Sequence, residues 1–334
     1  MRSKLKRGIS GACIISLSLL LMSCGGQTQS TGNAGGTNTS STISVEMGVE
    51  PWIGYGPWAI ADKKGFFKKN GLDVKLVTFN QDSDINSAFA SGHAQVANVA
   101  THTALRLKGN NSLDFQAVLF LDESERDDAI LAPSSVTSIN QLQGKRIAFE
   151  EGTTSDLLIH YALNESSIPF SAVSPVYMPA SDAGLSLVSK KVDAAVTYEP
   201  YISEILSKDK SLHIIYSGAD APGLISDVTI VNSTFLTQHP DVKSKLQQAW
   251  DESIKFWRDN PQEGDAIIAQ FSGVEPAQMS VIKQGLKVFS LDEQKQMWTS
   301  GKMLDAVNNI QSTLLAQGML KSKVDAQSVF HIMD

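Results

Sequence analysis

Most side chains able to take part in chemistry fall into a few short stretches that combine aromatic, hydroxyl and acidic residues. The candidates are Trp52 and Tyr55, then Thr101 and His102, then Gly152, Thr153, Thr154 and Ser155, then Tyr198, Glu199 and Tyr201, and finally Asp227. Aromatic faces and carboxylates hold cationic groups. Hydroxyls at a helix start, beside unpaired N–H groups, hold anionic ones. The pattern predicts a site that binds a small molecule without covalent chemistry.

The first candidate loop lies inside a predicted strand–loop–helix–strand unit at residues 43–79. Its opening residues alternate between apolar and polar, which is the period of a half-buried strand. Pro57 suits the first position of the helix, because its missing N–H would be unpaired there anyway. Asn70-Gly71 then predicts a turn into a second strand. The loop with Trp52 and Tyr55 therefore follows the carboxyl end of a strand, where open α/β sheets bind ligands.

The other candidate loops repeat this arrangement. Predicted strands at 94–99, 146–149 and 192–196 precede, respectively, the loops at 101–103, 150–155 and 197–201. We therefore expect an α/β fold whose candidate loops share one edge of a sheet. For three groups of candidate residues, an interpretation without ligand binding stays open. The hydroxyls of the third loop can be ordinary helix caps, Glu199 can mark a helix start, and Asp227 can bond to the backbone of a hinge.

Three consecutive segments link the two halves of the chain. We expect an apolar strand at 115–121, an acidic stretch on the surface at 122–128, and a crossing strand at 129–132. Further helices are predicted at 242–257, 264–271, 276–285 and 291–317. Trp250 and Trp257 recur at helical spacing, so we expect them to pack in the core and not to form a binding box.

The first 24 residues have the pattern of an export signal. A basic start precedes an apolar segment of about a dozen residues, too short for a span of about 20. Leu21-Met22-Ser23-Cys24 resembles a lipobox, so we expect lipidation at Cys24 and anchoring to a membrane of a bacterial envelope. The alternative is a plain signal peptide with a chance cysteine. Residues 25–42 have the composition of a flexible linker.

Composition and motif content argue against several functions. The net charge of −7 becomes about −11 once the four basic residues of the signal are removed, which opposes nucleic-acid binding. The histidines are scattered, and the sequence lacks H-E-x-x-H, G-x-S-x-G and a P-loop lysine. Its cysteines are Cys13 and Cys24, so thiol chemistry is not expected in the mature chain. We expect no enzyme activity, no metal and no cofactor.

The sequence resembles the periplasmic solute-binding proteins of the nitrate/sulfonate/taurine type, a family that includes binders of thiamine precursors. The segments that carry the resemblance are Gly65-Phe66-Phe67 with Asn70-Gly71-Leu72-Asp73-Val74, then Ile139 to Phe149, Val192 to Tyr201, and Phe235 to Pro240. Gln141 departs from the family pattern, which has an acid there. The resemblance covers most of the chain but is not specific to one substrate.

The resemblance implies a two-lobed, type II periplasmic-binding-protein-like fold with a mainly parallel sheet in each lobe. Lobe 1 would comprise residues 43–132 and 228–334, lobe 2 residues 133–227, and two crossovers would form a hinge. It further implies a monomer that closes around a solute and docks on an ABC permease with its ATPase. In taurine-type members an acid at the position of Asp227 pairs with a ligand amine.

The resemblance also narrows the solute to a small organic molecule containing sulfur or nitrogen. A taurine- or alkanesulfonate-like compound ranks ahead of a thiamine pyrimidine precursor, a urea- or guanidine-like compound and nitrate. The candidate loops contain no Arg or Lys, which disfavours a bare inorganic anion. A lipoprotein sensor or docking protein is the other class considered. One relative of this fold is an enzyme, the eukaryotic pyrimidine synthase of thiamine biosynthesis, and it has a cysteine-rich iron motif that this chain lacks.

Overall fold

Two β-sheets organise residues 42–332, the part of the chain that the computed structural model describes. Cys24, the predicted signal and nearly all of the predicted linker lie outside this range. The strands are β1 (Ile43–Val49), β2 (Leu72–Thr78), β3 (Val96–Ala100), β4 (Phe115–Ser124), β5 (Asp128–Pro133), β6 (Arg146–Phe149), β7 (Ser174–Tyr177), β8 (Ala194–Tyr198), β9 (Leu212–Ser217), β10 (Ser226–Asn232) and β11 (Leu286–Val288).

Helices follow most strands and cover the sheets. They are α1 (Gly56–Lys64), α2 (Phe66–Lys69), α3 (Asp82–Ala90), α4 (Thr101–Asn111), α5 (Thr154–Glu165), α6 (Ala180–Val188), α7 (Tyr201–Lys208), α8 (Ser233–Gln238), α9 (Val242–Asp259), α10 (Pro261–Ser272), α11 (Met279–Ile282), α12 (Leu291–Thr299), α13 (Lys302–Ala316) and α14 (Ala326–Val329). Short 3-10 turns lie at Ile53–Tyr55, Ile139–Leu142, Phe170–Ala172 and Gly218–Asp220.

The first sheet has six strands in the order β11-β4-β10-β3-β1-β2, and the second has five in the order β7-β6-β8-β5-β9. Strand β1 runs parallel to β2 and β3, and β6 runs parallel to β7 and β8. Each sheet also contains a crossing strand that is antiparallel to its neighbours, β10 in the first and β5 in the second. The expected α/β fold with two sheets is confirmed, but both sheets are mixed, because β11–β4, β4–β10 and β10–β3 in the first and β8–β5 and β5–β9 in the second are antiparallel pairs.

We call residues 42–127 and 226–332, which carry the first sheet, lobe 1, and residues 128–225, which carry the second, lobe 2. Both boundaries fall earlier than the sequence predicted. Strand β5 pairs along its length with β8 and β9, so Asp128 to Ala132 belong to lobe 2. Strand β10 begins at Ser226 and pairs with β3 and β4, so Asp227 belongs to lobe 1.

The core of lobe 1 explains why its elements form where they do. The apolar residues of β1 are buried, and β3 is buried along its whole length, as expected for parallel strands covered on both faces. Trp58 lies 4.9 Å from Trp250 and 5.6 Å from Phe67 between ring centroids. Its Nε1 donates to Oδ1 of Asn98 at 2.8 Å, which satisfies the buried donor. The predicted packing role of Trp250 is confirmed.

Two predicted helices near the carboxyl end of the chain are wrong in extent. The segment at 276–285 forms a single helical turn, and the chain then enters β11. The segment at 291–317 divides into α12 and α13, because Gly301 adopts a φ of +81°, in the left-handed region that helices exclude. Helical periodicity continues across this break, so periodicity alone could not reveal it.

Only part of the acidic stretch at 122–128 lies on the surface, contrary to expectation: its aspartates are buried, whereas Glu123 and Glu125 are half-buried and Arg126 is exposed. Strand β4 continues through Asp122 to Ser124, and β5 begins at Asp128, so the stretch turns from one sheet to the other inside the molecule. Asp122 is fully buried, and Asp127 and Asp128 are each 3% exposed. These carboxyl groups therefore lie beside the boundary between the lobes.

Within residues 42–332, no helix has both the length and the apolar character needed to cross a membrane. The same part of the chain contains no group of three or more histidine, cysteine, aspartate or glutamate side chains arranged to hold a metal ion.

Candidate solute-binding site

A cavity of about 550 Å³ lies where the carboxyl ends of the parallel strands of both lobes meet. Lobe 1 contributes Glu50, Trp52, Tyr55, Asn80, Gln81, Asp82, Ala100 and Asp227, and lobe 2 contributes Asp128, Glu150, Thr153, Thr154, Tyr198 and Ile225. This volume includes space open to solvent, so it sets an upper limit that only a small molecule satisfies. Because the lining comes from both lobes, a molecule bound here would contact both at once.

Six of the predicted site residues line this cavity together. They are Trp52, Tyr55, Thr153, Thr154, Tyr198 and Asp227. The ring of Trp52 meets that of Tyr198 across the lobe boundary, edge to face, at 6.1 Å between centroids. Tyr198 in turn packs against Tyr201 at 5.4 Å, which makes Tyr201 a support for the wall and not part of it. Aromatic residues from both lobes thus form one side of the cavity.

The ionisable side chains of the lining that carry a charge at neutral pH are all carboxyl groups. Five of them line the cavity, and no lysine, arginine or histidine is among the lining residues. The acids are Glu50, Asp82, Asp128, Glu150 and Asp227. Burial raises the pKa of every one of them, and acidic neighbours raise four of them further. The pKa of Asp227 rises to about 7 and that of Asp128 to about 6.

Tyr55 and Gly54 fix the positions of neighbouring carboxyl groups. We call the acids that line the cavity the acidic wall; they are Glu50, Asp82, Asp128, Glu150 and Asp227. The hydroxyl of Tyr55 donates to Oδ1 of Asp227 at 3.0 Å. Burial first, and the nearby Asp227 carboxylate next, raise the pKa of Tyr55 well above its usual value, so the phenol stays a donor. A Cβ added to Gly54 would overlap Oδ2 of Asp122 and Nε1 of Trp52, so only glycine fits here.

The hydroxyl turn before α5 is largely engaged in local bonds. Oγ1 of Thr153 donates to the carbonyl of Glu150 at 2.9 Å and accepts from the N–H of Ser155 at 3.3 Å, so Thr153 is the N-cap of α5. The Thr154 hydroxyl faces Asp128 and partly offsets the rise in its pKa. Ser155 is buried behind the turn. The capping interpretation therefore accounts for Thr153.

Gly152 lies at the contact between the lobes, outside the cavity itself. Its backbone has a φ of +82°, and its carbonyl accepts a hydrogen bond from Arg106 at 2.7 Å. The ring of His102 reaches the same carbonyl at 3.3 Å. Burial first, and Arg106 next, lower the pKa of His102 to about 3, so this imidazole is neutral. Both side chains come from α4 of lobe 1, so this contact joins the lobes.

Two other predicted site residues serve the scaffold. Oγ1 of Thr101 lies 2.8 Å from Oγ of Ser226, and both are buried beside the cavity floor. Glu199 accepts hydrogen bonds from the backbone N–H and the hydroxyl of Ser203, at 3.0 and 2.8 Å. The carboxylate thus satisfies the first turn of α7, which agrees with the helix-start interpretation.

Several lining residues were absent from the sequence-based prediction, most importantly the four acids other than Asp227. Glu50 directly follows β1, and Glu150 directly follows β6. Their positions at strand ends were a usable signal, because the predicted loops began there. Asp82 begins α3 and Asp128 begins β5. Asp128 belonged to the acidic stretch that was expected on the surface because of its charge. The sequence therefore did not indicate that Asp128 faces the cleft.

Two α/β lobes, with a ligand-sized cavity between the carboxyl ends of their strands, define a solute-binding protein of the two-lobed periplasmic type. The chain belongs to the NMT1/THI5-like family, whose model matches residues 53–264. This membership confirms the family resemblance inferred from the motifs.

Similar proteins extend over most of the chain. A putative binding protein of Brucella abortus is 22% identical over 87% of this chain and 91% of its own length. The taurine-binding periplasmic protein of Escherichia coli is 22% identical over 86% and 90%. The alkanesulfonate-binding protein of Xanthomonas axonopodis pv. citri, solved with MOPS bound, shares the fold with a TM-score of 0.73, at 18% identity over 87% of this chain and 99% of its own. The two curated relatives are named as binding proteins and not as enzymes, in agreement with the expectation from the sequence.

Proposed function

We propose that this protein is the extracytoplasmic solute-binding component of an ABC importer, which captures a small organic solute containing sulfur or nitrogen by closure of its lobes. The observation that carries the proposal is the cavity lined by strand ends of both lobes. A solute that contacts both lobes favours the closed arrangement by its differential affinity for that state.

The partners follow from the same class of protein. A permease and its ATPase subunit would receive the closed form, in keeping with relatives named as ABC transporter and periplasmic binding proteins. A lipid on Cys24 would keep the protein, as a monomer, at the membrane, with residues 25–42 as a tether. The lipobox-like Leu21-Met22-Ser23-Cys24 supports this part of the proposal.

Two observations bear on the solute. The names of the relatives support a taurine- or alkanesulfonate-like compound. The acidic and aromatic lining supports a compound with a nitrogen-containing group, such as an amine, a guanidine or a pyrimidine precursor. Taurine has both a sulfonate and an ammonium group. Nitrate ranks last, because an inorganic anion needs cationic partners that the lining does not provide.

A thermal-shift screen tests the proposed function. The full-length protein carrying Cys24→Ser, freed of co-purified ligand by unfolding and refolding, is melted with taurine, alkanesulfonates, nitrate, urea, guanidine and hydroxymethylpyrimidine. A compound at 100 times its dissociation constant adds about 2.7 kcal/mol of stability, which raises the melting temperature by several degrees.

The control is Asp259→Asn, which removes an exposed carboxylate on α9, far from the cavity. We expect it to respond as the parent protein does. If no compound of any class shifts the melting temperature, the solute-binding proposal fails and a role in docking another protein takes its place.

A further inference from the structure

One main-chain carbonyl in the turn after β6 receives two side chains from the opposite lobe. The carbonyl oxygen of Gly152 accepts a hydrogen bond from Nη1 of Arg106 at 2.7 Å, and Nε2 of His102 lies 3.3 Å from the same oxygen. Both side chains belong to α4 of lobe 1, whereas Gly152 belongs to lobe 2. The contact joins protein atoms directly, so it holds the lobes together whichever solute is bound.

This contact lies beside the mouth of the cleft. Arg106 and Gly152 line the mouth, together with Tyr177. Glu150 and Thr153, which lie on either side of Gly152 in the turn, line both the mouth and the inner cavity. A solute in the inner cavity therefore lies behind the contact, and the lobes cannot separate to release it until Arg106 leaves the carbonyl.

The contact depends on glycine at residue 152. Its φ of +82° lies in the left-handed region, where other residues are strained. A Cβ at this position would also lie 3.1 Å from Nη1 and 3.5 Å from Nη2 of Arg106, so it would crowd the guanidinium beside the carbonyl. Because glycine has more backbone freedom than any other residue, other groups are needed to hold this conformation.

Asp156 holds Gly152 from inside lobe 2. Its Oδ2 accepts a hydrogen bond from the N–H of Gly152 at 2.8 Å, and its Oδ1 lies 3.3 Å from Nε2 of His160, one turn further along α5. The ring of His160 stacks on that of Phe170, with 3.9 Å between centroids and 16° between planes. Packing thus fixes the imidazole, and the imidazole fixes the carboxylate. Gly152 is therefore held at its N–H by lobe 2 and at its C=O by lobe 1.

The charges on either side of Gly152 support each other. Burial raises the pKa of Asp156, as does Glu151 to a smaller extent, whereas the hydrogen bond from Gly152 and the nearby His160 and Arg106 lower it. The guanidinium of lobe 1 therefore favours the carboxylate of lobe 2, and attraction between opposite charges acts across the lobe boundary.

Capping of α5 does not account for the bond between Asp156 and Gly152. Thr153 is the N-cap, and its hydroxyl accepts from the N–H of Ser155. An acid at the third position of a helix commonly bonds back to the N–H of the N-cap residue. Asp156 occupies that third position but reaches one residue further, to Gly152, which lies outside the helix. The bond therefore fixes the turn and not the helix.

We propose that Asp156 is a positioning residue: it holds Gly152 so that the carbonyl meets Arg106, and this latch between the lobes controls how fast a bound solute is released. His160 keeps the carboxylate of Asp156 in place. The inference rests on the proposed function, because a latch acts only if the lobes close on a solute. It assigns no contact with the solute to any residue of the latch.

The rate at which the strongest compound of the thermal-shift screen dissociates tests the latch. Stopped-flow tryptophan fluorescence follows the release, because Trp52 lies at the lobe boundary. Asp156→Ala leaves the N–H of Gly152 without its acceptor, so we expect release about tenfold faster and association nearly unchanged. Asp156→Asn keeps an oxygen that can accept from Gly152, so we expect it to restore most of the slow release.

Two further variants complete the set. Asp182→Ala is the matched control, since Asp182 is an exposed acid in the first turn of α6 in the same lobe, and we expect it to release solute at the parent rate. His160→Ala removes the group that orients Asp156, and we expect release about threefold faster. This variant tests the latch even if Asp156→Ala does not fold.

A double-mutant cycle separates positioning from a merely structural role. If Asp156 acts through Gly152 on Arg106, Asp156→Ala should speed release by less than about twofold once Arg106→Ala is present. Two effects that multiply independently overturn the inference. So does an Asp156→Ala protein that melts at a lower temperature but releases solute at the parent rate.

The outcomes also separate the latch from the proposed function. If the parent protein binds no compound of the screen, both proposals fail. If it binds a compound and neither Asp156→Ala nor His160→Ala changes the rate of release, only the latch fails and the solute-binding proposal stands.

Discussion

The loop after β1 in lobe 1 and the turn after β6 in lobe 2 begin alike and differ in what they offer a ligand. Each begins with a glutamate at the end of a strand, Glu50 in one and Glu150 in the other. In lobe 1, Glu50 and Trp52 have polar atoms without protein partners among the described residues. In lobe 2, Oε2 of Glu150 accepts from the N–H of Ala180 at 3.1 Å, and Thr153 caps α5.

This difference assigns separate tasks to the two lobes. Lobe 1 holds the groups whose bonding a ligand would complete, so it would recognise the solute. Lobe 2 holds a turn in which Thr153 and Glu150 are already hydrogen-bonded and whose Gly152 carbonyl receives Arg106 from lobe 1. It would close on the solute and add the face of Tyr198. Substitutions in the two lobes should therefore affect recognition and closure separately and to different degrees.

The largest effect is expected from Gly54→Ala in the lobe 1 loop. The new methyl would displace Asp122 and Trp52, which are both buried. Such overpacking costs about 1–3 kcal/mol of stability, and it should reduce solute affinity about 100-fold or more, because Asp122, its strand partner Asp227 and Trp52 would move together. Melting curves and titration calorimetry measure the two effects.

Gly48→Ala provides the matched control in the same strand region. A Cβ there would meet Phe79 at 3.5 Å, an ordinary contact, so little change is expected. If Gly54→Ala binds solute and melts like the parent protein, the loop after β1 does not fix the positions of Asp122 and Trp52 beside the cavity.

A smaller effect is expected from Arg106→Ala at the lobe contact. The substitution removes a charge-assisted hydrogen bond between the lobes, which is worth about 1.5–3 kcal/mol at most. We expect affinity to fall about tenfold for every solute alike, with faster dissociation, because closure and not recognition is weakened. Stopped-flow measurement of tryptophan fluorescence reports the rates.

Arg258→Ala, which removes an exposed arginine paired with Glu293 on the same lobe, is the control for Arg106→Ala. A change in the preference of Arg106→Ala between guanidinium and urea would show that Arg106 takes part in recognition.

The ligand-free protein should lose stability as pH rises from about 5 to 8. The folded-state pKa values of Asp227 and Asp128, about 7 and about 6, exceed the ordinary aspartate value. The folded chain therefore binds more protons than the unfolded chain in this range, and its stabilisation is lost as pH passes the folded pKa. Melting temperatures of the stripped protein measure the trend. Asp227→Asn should reduce the change of melting temperature with pH. An unchanged pH dependence would mean that other buried carboxyl groups cause it.

The smallest effect is expected from Thr153→Ala in the lobe 2 turn. Loss of the N-cap of α5 costs about 1 kcal/mol, a few degrees of melting temperature, whereas solute preference should be unchanged. Thermal melting with and without the best solute measures both. A selective loss of one solute class would mean that this hydroxyl contacts the ligand, contrary to its bonds within the turn.

Local patterns in the sequence were sufficient to predict the unit at residues 43–79 and its ligand loop. The alternation in β1, Pro57 at the helix start and the turn at Asn70-Gly71 act over short distances, so they can be read without knowledge of the fold. Trp52 and Tyr55 were found for the same reason.

The acidic wall depends on tertiary structure and was largely missed. Asp122 meets Asp227 only because β4 and β10, far apart in the sequence, are neighbours in the sheet. Asp128 was misplaced because a run of charged residues is usually solvated, whereas this run turns between two sheets. Glu199 was proposed for the site, but it bonds to α7, since a helix start competes for the same carboxylate.

Closure around a solute changes the distance between the lobes, so measuring that distance tests closure directly. Ser83 and Tyr177 lie on opposite lobes, are both exposed and both line the open mouth of the cleft. With Cys13→Ser and Cys24→Ser, the full-length sequence contains no other cysteine, so spin labels on Ser83→Cys and Tyr177→Cys report this distance alone. Saturation with the strongest solute of the screen should convert a broad or longer distance distribution into a single short one. An unchanged distribution at saturation would contradict closure and leave the cavity as a rigid site.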